Sequence, residues 1–176
     1  MDFLVSNGPW AGKSGKFVTM RNIANRLQRE VKVNISLRVE ETGRPDAVCV
    51  SGRGELQLAI LLETMRREGF EVMVSRPRVI TKTIDGVLCE PMEEVTIDVH
   101  DEYVGVIIEE LAKRKGEMTS MDKDEAGMNR MIFEAPTRGL IGFRTDFLTL
   151  TKGLGLMSRL FMHYGPHRGE IASRTR

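Results

Sequence analysis

The sequence predicts an α+β protein made of two ferredoxin-like domains, each a βαββαβ unit with an antiparallel sheet. Three observations lead there. The same order of strand-like and helix-like segments occurs twice in 176 residues. Helical segments carry apolar residues at i, i+3, i+4 and i+7, whereas strand segments alternate apolar with polar. Gly- and Pro-containing turns separate the segments.

In the first unit, Asp2–Ser6 reads as a short strand. Val18–Arg29 follows as a helix with Ile23, Ala24 and Leu27 on one face. The alternation in VNISLRVE predicts a half-buried strand over Val33–Glu40. A turn at Thr42-Gly43-Arg44-Pro45 leads into a strand over Ala47–Ser51. Glu55–Glu68 is a helix closed by Gly69, with Arg66 and Arg67 suiting its negative end. Phe70–Ser75 is the last strand.

Pro77 to Pro91 reads as a connection carrying an extra strand over Val79–Ile84 and a hairpin turn at Asp85-Gly86. The second unit starts with a strand over Val95–Val99. Glu102–Lys115 is a helix with Val104, Ile107, Ile108 and Leu111 on its apolar stripe, ended by Gly116. Strands over Glu117–Met121 and Met128–Ala135 flank the polar turn DKDEAG. A helix over Gly139–Leu150 and a strand over Leu154–Tyr164 complete the unit. The expected boundaries are residues 1–78 and 79–170, with 171–176 beginning a further region.

A 41% hydrophobic and 29% charged composition is that of an ordinary globular chain. No apolar run approaches the ~18 residues of a membrane span, and no signal peptide is visible. Cys49 and Cys89 lack metal-ligand spacing, which with the composition predicts a reduced, cytoplasmic protein. The net charge of +1 hides an asymmetry. Asp85 to Glu110 holds nine acids and no Lys or Arg, whereas Arg138 to Arg176 holds seven Lys and Arg against Asp146 and Glu170. The acidic block reads as a solvated face, and the basic tail as a field that attracts polyanions.

Catalytic and metal chemistry find little footing. The loop Gly8-Pro-Trp-Ala-Gly12-Lys13-Ser14 falls one residue short of a phosphate-binding P-loop, and Gly15 stands where a helix would start. No nucleophile elbow exists around Ser51. His163 and His167 are separated by Gly165-Pro166 and have no evident third ligand. No catalytic residue and no metal ligand is therefore assigned.

Binding is the positive signal. Arg53 lies between Gly52 and Gly54 before a helix, and Arg138 and Arg144 accompany Gly139 and Gly142 before another. Guanidinium groups beside bare backbone at a helix start favour phosphate. Lys13, Lys16 and Lys152 add positive charge. Exposed aromatics for stacking bases are not evident, so backbone recognition of structured RNA fits better than reading unpaired sequence. The plainer alternative makes Arg53 or Arg138 an internal strut paired with Glu55 or Asp146.

The segments GKSGKFVT, LRVEET, SGRGELQL, MRREGFEVMVSRPRVI, EPMEEVTIDV, RKGEM and TRGLIGFRTDFLTLTKG resemble the BipA (TypA) family of translational GTPases. SGRGELQL and HYG also resemble elongation factor G more loosely. The resemblance implies that the two units are the third and fifth domains of such a factor, directly joined, with the GTPase domain, a β-barrel and a C-terminal domain outside this chain. It implies GTP and magnesium only on that other GTPase domain, no cofactor here, and no GTP hydrolysis by these residues. It also implies a ribosome partner, contacts to large-subunit rRNA and to the factor's own other domains, and roles in assembly, stress and growth at low temperature. Trp10 and the loop MDKDEAGMNR depart from the family pattern.

Three functional expectations follow. The first is a ribosome- and rRNA-binding module. The second is a structural relay making chiefly protein contacts. The third, a small phosphate-binding enzyme using Arg138 or Arg144, lacks a nucleophile.

Overall fold

The computed structural model describes residues 1–124 and 127–171. Two compact units are present, Met1–Arg78 and Val79–Arg176, each with its own sheet and core. Each has the ferredoxin-like arrangement.

In the first unit, β1 (Asp2–Val5), β2 (Arg38–Glu41), β3 (Ala47–Ser51) and β4 (Val72–Val74) form an antiparallel sheet ordered β2-β3-β1-β4. Helices α1 (Met20–Val33) and α2 (Glu55–Arg67) cover one face. The Thr19 hydroxyl caps α1 by accepting from the Asn22 amide at 3.3 Å. Ile23 and Leu27, one turn apart, bury against Phe3, Val50, Leu58, Leu61 and Met65. Arg26 pairs with Glu30 one turn along α1 at 2.9 Å and ties α1 to the C-terminal cap of α2 through Glu68 at 2.5 Å.

One expected strand is corrected here. The helix continues through Val33, and the strand begins only at Arg38. Val33 and Ile35, two of the four apolar residues that gave VNISLRVE its alternation, are 85% and 94% exposed, whereas Leu37 is buried. The inward spacing continues from Leu27 to Val31, so the helical period outlasts the apparent period of two.

In the second unit, β6 (Val87–Val99) is the spine. It pairs with β5 (Lys82–Ile84), β8 (Asn129–Pro136) and β9 (Leu156–Pro166), and β7 (Glu117–Lys123) pairs with β8. The four principal strands are thus ordered β7-β8-β6-β9. Asp85 and Gly86 both take positive φ in the β5–β6 hairpin turn, as a two-residue turn of that twist requires. β6 starts eight residues earlier than the Val95–Val99 strand expected from sequence and runs through Pro91. Proline is accommodated because β5 stops pairing at Cys89 and β8 starts at Met92, leaving only β9 beside Pro91.

Helices α3 (Asp101–Lys113) and α4 (Phe143–Leu150) pack on this sheet. Tyr103, Ile107 and Leu111 bury with Val95, Ile97, Phe133, Phe143 and Phe147. The single helix expected over Gly139–Leu150 is two pieces. A 3-10 turn spans Thr137–Leu140, Gly142 then takes φ 75°, and α4 starts at Phe143. This break separates Arg138 from Arg144. The turn DKDEAG falls partly outside the described residues, as do 172–176.

Candidate nucleic-acid interface

The basic tail and the acidic block of the second unit are partners. The Arg138 guanidinium grips the carboxylate of Glu90 through Nε and Nη2, and Nη2 also donates to the Gly169 carbonyl. Glu90 is fully buried, and its Oε1 accepts from the Arg168 amide at 2.8 Å. Burial pushes the Glu90 carboxyl up, but Arg138 and the Arg168 amide outweigh it and hold the group below its ordinary value. Arg159 pairs with Glu93 at 2.8 Å and donates to the Leu140 carbonyl. Arg168 donates to the carbonyls of Lys115 and Glu134 and to the Glu134 carboxylate.

Arg138 thus stands as an internal strut, and its partner is Glu90 rather than Glu55 or Asp146. Asp146 is held instead by Arg114, which also reaches Glu110 at 3.1 Å and the Gly139 carbonyl at 2.9 Å. The same geometry corrects the reading of the acidic block as solvent-facing at Glu90 and Glu93. Gly139 is not bare backbone either. A Cβ there would lie 2.5 Å from the Arg114 carbonyl oxygen, so this glycine serves close packing.

Other cations remain available. Arg144 is exposed in the first turn of α4, on the same outward face as Leu148, and Lys152 is exposed just beyond the helix end. Arg53 is exposed before α2, where Gly54 caps the helix without a side-chain bond. Its own amide donates to Gln57 Oε1 at 2.8 Å, and a Cβ on Gly52 would meet that same oxygen. A Cβ on Gly54 or Gly142 would meet open space. Among the described residues, no carboxylate pairs with Lys13, Lys16, Arg53, Arg144 or Lys152.

The near-P-loop is filled from within. The amides of Gly12 and Ser14 close on the Glu71 carboxylate at 3.0 to 3.1 Å. Those bonds hold the Glu71 carboxyl below its ordinary value. Gly15 lies against the Gly69 carbonyl, where a Cβ would be 2.7 Å away. Lys13 sits 4.3 Å from the centre of the exposed Trp10 ring, which gives that residue a role in the loop. Lys16 donates its amide to Gly69, past the C-terminal end of α2, whereas Arg53 precedes the N-terminal end. The loop lysines and Arg53 therefore lie at opposite ends of that helix.

Sequence reasoning missed Glu90, Arg114 and Arg168 as the groups that organise the second unit. Glu90 carried a signal: a lone acid in the apolar run VLCEPM has to be buried with a cation. Among the described residues, no group of three His, Cys, Asp or Glu could hold a metal ion, and no helix is long and apolar enough to cross a membrane.

Comparison with known proteins places this geometry. Residues 87–175 match the model of the elongation factor G C-terminus. Over 99% of its length the chain is 52% identical to the "Large ribosomal subunit assembly factor BipA" of Bacillus subtilis, and 50% identical to that of Escherichia coli K12. The chain spans 29% of the length of those two relatives. A solved structure from Thermus thermophilus superposes over 96% of this chain and 41% of its own, with a TM-score of 0.57 and 15% identity, a likeness of fold alone.

Proposed function

We propose a function from one premise: the chain belongs to the elongation factor G C-terminus family, and its half-identical relatives are BipA proteins. On that premise it is the ribosome-binding part of a BipA-type translational GTPase, acting in the cytoplasm. Its partners are the large ribosomal subunit, through rRNA phosphates, and the GTPase, β-barrel and C-terminal domains of the longer protein. GTP and magnesium belong to that GTPase domain, and this chain itself binds no nucleotide and catalyses no hydrolysis. The Glu71 carboxylate already occupies the amides that a phosphate would need.

One observation carries the reading. Arg138, Arg159 and Arg168 are tied inside the second unit, whereas Arg144 and Lys152 face solvent and, among the described residues, have no carboxylate partner. Arg53, Lys13 and Lys16 do the same in the first unit. Such cations position a protein on phosphates without reading bases. Pelleting the chain with purified large subunits between about 50 and 200 mM salt tests this, because each lost phosphate contact lowers the salt slope by roughly one. Pelleting without salt dependence would instead favour the relay, a reading supported by exposed Leu56 and Ile60, which line a cavity of about 380 Å³ with Glu30, Asn34 and Leu61, and by exposed Val33 and Ile35 at the end of α1.

A further inference from the structure

The two units differ in charge in a way the chain total conceals. Met1–Arg78 holds thirteen Lys and Arg against nine Asp and Glu, a net +4, so the remainder of the chain carries −3. The excess positive charge is in the first unit, and much of it is on α1. Arg21, Asn25, Gln28, Arg29 and Lys32 are all exposed, and they lie at i, i+4, i+7, i+8 and i+11. At 3.6 residues per turn these positions share one face that spans about 16 Å from Arg21 to Lys32.

No acid stands on that face. Glu30, the sole acid of α1, lies on the far side and is bound to Arg26. Glu68 is also taken by Arg26, with Arg29 adding a lesser pull on it. Arg26 therefore takes up both of these carboxylates and leaves the outward face positive. Ile23 and Leu27 hold the opposite face in the core, so the stripe is presented by a rigid element.

We propose that this face of α1 is a second docking surface of its own, fitted to the phosphate backbone of an A-form RNA duplex. Arg21, Arg29 and Lys32 contact phosphates, and Asn25 and Gln28 between them donate to ribose hydroxyl or phosphate oxygens. The chemistry excludes an apolar partner, since no apolar side chain stands on the stripe. The proposal rests on the RNA-binding reading above but names a different element from α4 and the Arg53 turn.

The test uses a fluorescein-labelled RNA duplex of about 16 base pairs, a length that shape-reading modules span, with binding followed by anisotropy across salt. The variants are R21A/R29A/K32A and, as comparison, R144A/K152A. The expected result is weaker binding by the α1 variant and a salt slope smaller by roughly 2 to 3, with an unchanged thermal transition. A second form, R21Q/R29Q/K32Q, gives the same answer if alanine disturbs the helix. Parent-like affinity and slope in a folded α1 variant overturn the proposal; the RNA reading then survives if the parent chain binds and R144A/K152A weakens it. A parent chain that binds neither duplex nor large subunits overturns both.

Discussion

Arg138 closes on Glu90 with two nitrogens of its guanidinium, Nε and Nη2, and Glu90 is fully buried beneath it. This pair joins the 3-10 turn at Thr137–Leu140 to the first third of β6, and through the Gly169 carbonyl it also fastens the segment after β9. A carboxylate can be buried there because one cation and one backbone amide satisfy it together.

Removing the cation leaves that carboxylate in the interior with the Arg168 amide but without its counter-charge. Arg138→Ala is expected to cost about 3–5 kcal/mol, the range for breaking a buried pair from one side. Arg144→Ala, at an exposed site, is expected to stay within about 0.5 kcal/mol. Urea unfolding of the two variants checks this, and equal losses would contradict the separation of strut from surface.

The same pair sets a pH dependence. The folded Glu90 carboxyl lies below its ordinary value, so its contribution to stability is present above the unfolded pKa of about 4.3 and is lost as pH falls through the folded value. The stability gap between the parent chain and Glu90→Gln should therefore be widest above about pH 5 and narrow on acidification. Chemical denaturation at a series of pH values reads the gap directly. A gap that widens as pH falls would show the opposite shift.

Glycines at the two Arg-Gly turns should respond differently. At Gly139 a Cβ meets the Arg114 carbonyl oxygen at 2.5 Å, so Gly139→Ala is expected to cost roughly 1–3 kcal/mol through backbone displacement. Gly54 has an open environment and extended backbone at φ −173°, so Gly54→Ala should cost less than about 1 kcal/mol, the loss of a modest cap preference. Melting temperatures of the two variants should separate accordingly.

Most of the architecture is legible in the sequence because its periods are carried by buried residues. Ile107 and Leu111 in α3 and Val95, Ile97 and Val99 in β6 are core residues, and their spacing announces helix and strand. Val33 and Ile35 misled because exposed apolar residues imitated a strand beyond a helix. The break at Gly142 was hidden because apolar spacing runs across it, while only backbone φ reveals the left-handed residue. The site was legible as a set of cations and not as their state. Whether an arginine is strut or surface depends on a carboxylate distant in sequence. Arg138 finds Glu90, 48 residues away, and Arg159 finds Glu93, 66 away, whereas Arg144 finds none among the described residues.

The cations without a carboxylate partner among the described residues, and not the struts, are predicted to hold this chain to the ribosome. The salt dependence of large-subunit binding by an Arg53→Ala, Arg144→Ala, Lys152→Ala triple variant, with melting followed in parallel, tests this most directly. An unchanged melting temperature, weaker binding and a salt slope reduced by roughly 2 to 3 are expected. Binding and slope equal to those of the parent chain, in a variant that folds normally, would contradict it.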